Sequence, residues 1–317
     1  LLPASWSGQD LARATSGAAA TLLGKIYLRN HDYANAKTYI DMVLNSGQYE
    51  LESDFKYVWS ENNKYGKEMI FALLHETGNN AAEIACHFGP SDHPEVPGRW
   101  QYYGVSLPFW RSYDKEDPRR EFFYYDYTGD AKRDDQSDYG FHYMVPEEGV
   151  TVVPNDTTKY MQNVATMKYT YDMISDAYYD GRTICIFRLS DVILCKAEIE
   201  NNLNGPAAAL PYLNQIRARA GAPEYGKHNR FPAPSTKEAM NDAILKERGY
   251  ELVFEFQRRA DLIRFGKYEE VVNAHLKKLG IAQPTNVTSS LRYFPYPLND
   301  AQLNPNLAAE NPSCLLY

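Results

Sequence analysis

Residues Ala14–Leu51 read ATSGAAATLLGKIYLRNHDYANAKTYIDMVLNSGQYEL, and this stretch indicates the fold class of the whole chain. Apolar residues recur in it with helical spacing on both sides of a polar break. The two stripes are Leu22, Leu23, Ile26 and Tyr27 before the break, and Ala36, Ile40, Val43 and Leu44 after it. Asp32 is placed to cap the second helix, and Gly47 is placed to end it. The stretch therefore predicts a hairpin of two antiparallel helices.

Residues 187–221 predict a second hairpin of the same kind. Pro206 suits the start of its second helix, and Gly221 suits the end. In the first hairpin, small residues on the first helix allow two antiparallel helices to approach closely, and their placement resembles that of a tetratricopeptide unit. A long segment separates the two hairpins, so the chain is not a simple repeat array.

The last third of the chain is predicted to be helical and then irregular. Residues 235–280 predict a long amphipathic helix followed by a shorter one. Ser235 and Glu238 form a capping box at the start of the long helix. Residues 293–317 are a Pro- and Asn-rich tail, for which we expect ordered coil.

Residues 78–180 lose the helical pattern and gather many aromatic residues. We expect short strands, such as Met69–Leu74 and Thr151–Val153, but no large sheet. The whole chain of 317 residues has 26 Tyr, 13 Phe and 4 Trp. The high number of tyrosines needs an explanation. A long irregular insertion between regular hairpins is typically functional. We therefore expect one mostly α-helical domain, 1–317, in which helical hairpins form the scaffold and a loop-rich aromatic insertion carries the function.

Composition excludes several classes of function. Lys and Arg total 33 against 41 Asp and Glu, and this net charge of −8, without a long basic run, argues against nucleic acid as a partner. The four cysteines form no CxxC pair, which argues against a zinc ribbon and a disulfide scaffold. No apolar run reaches the roughly 18–20 residues of a membrane span. No glycine-rich phosphate loop appears, so we expect no nucleotide cofactor.

Five blocks along the chain resemble, in the same order, the SusD/RagB family of outer-membrane lipoproteins. They are Ala14–Leu51 with KEMIFAL (Lys67–Leu73), DPRR (Asp117–Arg120), FRLSDVILCKAEIENNLN (Phe187–Asn204) with ALPYLNQIRARAGAP (Ala209–Pro223), ILKERGYELVFEFQRRADLIRFGKY (Ile244–Tyr268), and the closing segment Tyr293–Pro312. The resemblance implies a SusD-like fold of tetratricopeptide-like hairpins. It also implies an N-terminal half with a lipoprotein leader, a lipidated cysteine and further hairpins, which we expect to lie outside these residues.

The resemblance implies a non-catalytic protein that binds glycans, such as oligosaccharides or a starch-like polysaccharide. Such a protein would be lipid-anchored on the extracellular face of the cell outer membrane. It would deliver its ligand to a TonB-dependent, SusC-like transporter. Within the family the alternative is a peptide-binding, RagB-like member. From other classes, a secreted glycoside hydrolase and a helical-repeat adaptor for protein partners remain open.

The aromatic insertion holds the candidate ligand residues. Sugars present apolar C–H faces edged by hydroxyl groups, so a site needs flat rings and hydrogen-bonding neighbours. The candidates are Arg99, Trp100, Gln101, Tyr102 and Tyr103, with Trp110 as a second position. The alternative is that these rings fill the core beneath the loops. For Phe122–Tyr125 a place in the core is the prediction.

Three glutamates of the fourth block raise the question of catalysis. Glu247, Glu251 and Glu255 share one helical face, and Arg248, Arg258, Arg259, Asp261 and Arg264 lie among or after them. Glycosidases place two carboxylates across a substrate, about 5–9 Å apart. Carboxylates on one face of one helix point the same way, so the pattern predicts an ion-pair network between packed helices instead.

A group of potential metal ligands lies in the insertion. It consists of Cys86, His87, Asp92, His93 and Glu95. The spacing matches no compact ligand motif, so we predict no metal site and no cofactor. A structural calcium bound by Asp and backbone carbonyl oxygens is the alternative.

Overall fold

The computed structural model describes residues 2–78, 82–90, 93–96, 100–129, 141–148, 158–172, 180–278, 287–288, 303–304 and 306. The helices in these segments are α1 (Ser16–Arg29), α2 (Tyr33–Leu44), α3 (Ile84–Phe88), α4 (Leu107–Arg111), α5 (Leu189–Asn204), α6 (Pro206–Arg219), α7 (Lys237–Glu251), α8 (Arg258–Arg264) and α9 (Tyr268–Lys278). The strands are β1 (Met69–Leu73), β2 (Val105–Ser106), β3 (Phe123–Tyr124), β4 (Asp126–Thr128), β5 (His142–Met144), β6 (Thr158–Tyr160), β7 (Asn163–Thr166) and β8 (Ile184–Arg188). Helices dominate, which confirms the mostly α-helical prediction.

The chain divides into two compact units, Leu1–Glu255 and Phe256–Tyr317. The first unit contains α1 to α7 and all the strands named above, and the second contains α8 and α9. The tail predicted over 293–317 lies almost entirely outside the described residues. The assignment of one domain to 1–317 stays a prediction.

Helices α1 and α2 form the predicted first hairpin. Asp32 caps α2 as expected, because its side chain accepts a hydrogen bond from the backbone N–H of Asn35 at 3.1 Å. Gly24 of α1 lies directly against Ile40, where an added Cβ would approach the Ile40 side chain to 2.9 Å. The close approach of the two helices therefore requires glycine at this position.

The buried face of α1 is not its apolar stripe. Leu22, Leu23 and Ile26 are exposed, whereas the buried positions are Ala18, Ala20, Thr21, Gly24 and Leu28. Small side chains occupy the face toward α2 because the helices pack closely there. The amphipathic stripe that helical spacing suggested for α1 therefore lies on the outer side of the first unit.

The second hairpin, α5 and α6, packs on α2 and on α7. Its core side chains Val192, Cys195 and Ile199 join a cluster with α1 and α2. Strand β8 leads directly into α5 and pairs antiparallel with β1, which confirms the predicted strand near Met69. The capping-box prediction was wrong by one residue: the N-cap of α7 is Thr236, whose side chain accepts a hydrogen bond from Ala239 N at 3.1 Å.

The insertion contains short elements, as predicted. Within the described residues it has two small sheets, with strand orders β2-β7-β3 and β4-β5-β6. The first sheet is antiparallel, and in the second β5 pairs with β6 in parallel. The possible strand at Thr151–Val153 lies outside the described residues. A buried apolar cluster that includes Val105, Trp110, Tyr113 and Phe123 packs between these short elements.

The three glutamates of the fourth block form a buried ion-pair network, as predicted, but the expected single helix is wrong, because α7 ends at Glu251 and Glu255 lies beyond it. Their partners come from four other segments and are Arg119, Lys168, Arg188, Arg217 and Arg219. Arg188 alone contacts Glu251 Oε1 at 2.8 Å and Glu255 Oε2 at 2.7 Å. Burial by itself would raise the pKa of Glu251, but the surrounding arginines hold it well below its ordinary value. These carboxylates hold the insertion and the hairpins together.

Candidate functional site

The short helix α3 carries the loop that contains the candidate ligand residues. The backbone N–H of Trp100 donates to the carbonyl oxygen of Cys86 at 2.7 Å, and that of Tyr103 donates to the carbonyl oxygen of His87 at 3.1 Å. Helix α3 itself is held by Asp180, whose Oδ2 accepts from Ala85 N at 3.0 Å. Buried apolar side chains on α3 anchor it to the core. The loop at 100–103 therefore rests on a fixed support.

Trp100, Tyr102 and Tyr103 are all exposed at this loop, by 37%, 66% and 54%. The ring centroids of Trp100 and Tyr102 are 5.5 Å apart, and their planes are inclined by 32°. We call these three residues, together with His87, the aromatic platform. The structure thus brings three of the sequence-predicted site residues together on one surface.

His87 is the centre of the platform, a role that the sequence did not indicate. Its ring centroid lies 5.1 Å from that of Trp100, 5.4 Å from that of Tyr102 and 6.2 Å from that of Tyr103. Its Nδ1 is buried and has no hydrogen-bond partner among the described residues. His87 therefore contributes ring packing to the platform. In the sequence, only its position near the end of a short helix could have indicated this role.

The two polar candidates differ in what the structure shows. Arg99 lies outside the described residues. Gln101 is half-buried, and its Nε2 donates to Asn163 Oδ1 at 3.2 Å. Its backbone has a positive φ of 50°, which is uncommon for a residue with a Cβ. Gln101 thus turns the chain between the rings of Trp100 and Tyr102.

Trp110 does not present an exposed ring, which corrects its place among the candidate ligand residues. Only 5% of it is exposed, and its Nε1 donates to the carbonyl oxygen of Arg120 at 3.2 Å. The guanidinium of Arg120 covers its ring at 4.0 Å, and Tyr125 packs at 5.2 Å. Helix α4 turns Trp110 inward because Val105, Tyr113 and Phe123 form an apolar cluster there.

The predicted core segment after α4 is largely confirmed. Phe122, Phe123 and Tyr124 are buried, and Tyr125 is half-buried against Trp110. The described aromatic residues of the insertion therefore divide into three groups: seven are buried, seven are half-buried, and three, all on the loop carried by α3, are exposed.

The potential metal ligands are dispersed in the structure. Cys86 is buried, and Asp92 lies outside the described residues. His93 packs between Tyr124 and Tyr127, and burial lowers its pKa. Within the described ranges no group of three His, Cys, Asp or Glu side chains could hold a metal ion. Among the same residues, no helix is long and apolar enough to cross a membrane.

A sequence model of the SusD family matches residues 67–313. The chain belongs to the SusD family. It is similar to SusD-like protein P25 of Formosa agariphila, with 26% identity over 322 residues that cover 94% of this chain and 58% of P25. The starch-binding protein SusD of Bacteroides thetaiotaomicron is 28% identical over 137 residues, 43% of this chain and 22% of that protein. The chain thus spans little more than half the length of P25.

Solved structures share the fold of this SusD-family chain. Surface glycan-binding protein A from Bacteroides thetaiotaomicron in complex with laminarihexaose matches with a TM-score of 0.69 and 22% identity, over 96% of this chain and 66% of that one. A laminarin-binding SusD-like protein matches with a TM-score of 0.64 and 23% identity, over 90% of this chain and 61% of that one. At these identities the likeness establishes the fold.

Proposed function

We propose that this SusD-family chain belongs to a non-catalytic cell-surface protein that binds oligosaccharides on the aromatic platform. The observation that carries the proposal is the cluster of three exposed aromatic side chains around His87. Contiguous apolar surface of this kind typically marks an interaction site. Trp and Tyr offer a flat apolar face together with a polar group, which matches the mixed surface of a sugar.

The comparisons favour a glucan as the ligand. One related protein is named for starch binding, and two structural neighbours are named for laminarin or laminarihexaose. Trp100, Tyr102 and Tyr103 would stack on the sugar rings, and Arg99, which precedes Trp100 in the sequence, would add a hydrogen-bond donor. The ligand would then pass to a TonB-dependent, SusC-like transporter, with the protein lipid-anchored on the extracellular face of the outer membrane. This partner and this location follow from the resemblance of the chain to its family.

Binding without hydrolysis agrees with the chemistry of the glutamates. Glu247, Glu251 and Glu255 are buried, and arginines or Lys168 bind all three. A glycosidase needs one carboxylate that can donate a proton and a second that faces the substrate. Carboxylates neutralised inside a buried network can do neither. This observation favours a binding protein over a glycoside hydrolase.

Calorimetric titration with laminarihexaose, maltohexaose and a mixture of short peptides tests the proposal. We expect binding of at least one glucan, no binding of peptides, and no new reducing ends after long incubation. Tyr102→Ala should weaken the binding strongly. Tyr65→Ala is the matched control, because Tyr65 is similarly exposed, at 58%, and lies outside the platform. Equal effects of the two substitutions, or binding of peptides alone, would contradict the proposal.

A further inference from the structure

The loop of the platform contacts a side chain far away in the sequence. Trp100 and Tyr102 flank Gln101, and the left-handed backbone at Gln101 sets the turn between their rings. Residues with a Cβ rarely adopt this conformation unless the surrounding structure holds them in it. Backbone hydrogen bonds to α3 hold the loop at Trp100 and Tyr103, on either side of the turn. At Gln101 itself, the side-chain amide donates a hydrogen bond to Asn163.

Asn163 has a fixed place in the first unit. It is the first residue of β7 and pairs with Ser106 of β2 in an antiparallel ladder. The next pair of this ladder, Val105 and Val164, is buried, so the strand cannot move easily relative to the core. The backbone of Asn163 is therefore fixed, and its exposed side chain offers Oδ1 to Gln101 at the surface.

Gly104 makes this contact possible. A Cβ on Gly104 would lie 2.5 Å from Asn163 Oδ1 and 2.9 Å from its Cγ, both closer than real Cβ contacts. Because Gly104 has no side chain, the amide of Asn163 can lie against the backbone that follows the platform. From there it reaches the Gln101 amide at 3.2 Å.

We propose that Gln101, Asn163 and Gly104 are positioning residues that hold the rings of Trp100 and Tyr102 in their inclined arrangement for the ligand. Gln101 then acts through Asn163 and does not contact the sugar. This inference rests on the proposed function for its ligand, whereas the arrangement of the rings is independent of any ligand. Rigid presentation matters because a platform that is ordered before binding loses less conformational entropy when the sugar arrives.

Two substitutions at Asn163 separate this role from a general effect on folding. Asn163→Ala removes the acceptor, and we expect binding of laminarihexaose to weaken about two- to tenfold, the range for one hydrogen bond. Asn163→Asp keeps an acceptor oxygen for the Gln101 amide, so binding should stay within about twofold of wild type. Gln101→Glu should also retain binding, because the Asn163 amide can turn over and donate to the new carboxylate.

The double substitution Gln101→Glu with Asn163→Asp gives the sharpest result. It places two carboxylates opposite each other with no donor between them, so it should weaken binding at least as much as Asn163→Ala although each single change is tolerated. Retained binding in the double variant would overturn the proposal. Weaker binding with Gln101→Ala and normal binding with Asn163→Ala would also overturn it, because Gln101 would then contact the sugar itself.

A measurement without ligand keeps this inference separate from the proposed function. Acrylamide quenching of tryptophan fluorescence is measured in each variant and in the same variant carrying Trp100→Phe. The difference between the two gives the quenching of Trp100. We expect Asn163→Ala and the double variant to raise the quenching of Trp100, and Asn163→Asp to leave it unchanged. If wild type binds no glucan, the proposed function fails, and the quenching still tests the positioning. Equal quenching in all variants would overturn the inference.

Discussion

Two tryptophans ten positions apart provide a direct test of the division between platform and core. Trp100 is 37% exposed, whereas Trp110 is 5% exposed. A tryptophan side chain offers about 250 Å² of surface, so the exposed part of Trp100 is about 90 Å². At about 25 cal/mol per Å², a sugar that covers half to all of this area gains about 1–2 kcal/mol from it. Trp100→Ala should therefore weaken glucan binding about 5- to 30-fold.

Trp110→Ala should have the opposite effect: it should lower the free energy of unfolding strongly and leave glucan binding nearly unchanged. Removing a buried tryptophan creates a cavity and costs about 3–5 kcal/mol of folding free energy. At Trp100 the loss of folding free energy should be smaller than at Trp110, because more than a third of Trp100 is already exposed. Calorimetric titration with laminarihexaose and chemical denaturation of both variants measure the two quantities. If Trp100→Ala lowered stability with unaltered binding, Trp100 would be a core residue and the reasoning would be refuted.

Three further predictions concern the support of the platform and the buried charges. His87→Ala should weaken glucan binding about tenfold in titration, because the ring that packs against the three exposed rings of the platform is lost. Glu251→Ala should lower the free energy of unfolding by about 3–5 kcal/mol in denaturant, since it leaves buried arginines without their carboxylate. Burial alone would raise the pKa of Asp191, but Lys25 and Arg248 hold it well below its ordinary value. The stability that this depressed pKa contributes is present above about pH 4 and is lost as the pH falls further, so the melting temperature should drop there, less so in Asp191→Asn.

The helical scaffold could be predicted because its signals are local. Helical spacing, the Asp32 cap and Pro206 at the start of α6 involve neighbours within a few residues, and the structure has each of them. Spacing did not predict which face of α1 is buried. Leu22 and Ile26 are exposed, and Gly24 packs against Ile40, because burial depends on how closely another helix approaches.

The candidate site was only partly predictable. Composition indicated the loop at 100–103 correctly as a place where exposed rings and polar groups occur together. It gave the same expectation for Trp110, which the structure buries beneath Arg120. The amino-acid type is identical at both positions, so only the surrounding elements separate a ring in the core from a ring on the surface.

The sequence by itself determined the family and the helical hairpins, because these depend on residue type and on short spacings along the chain. It indicated that the three glutamates would form ion pairs, but only the tertiary structure decided their partners, which lie on four other segments. Tertiary structure alone decided that His87 lies under the three rings and that Asn163 reaches Gln101. These contacts join separate segments, and their existence depends on how α3 and β7 are held by the core. Whether a ring is free to meet a sugar is a property of its neighbours in space, which no local pattern records.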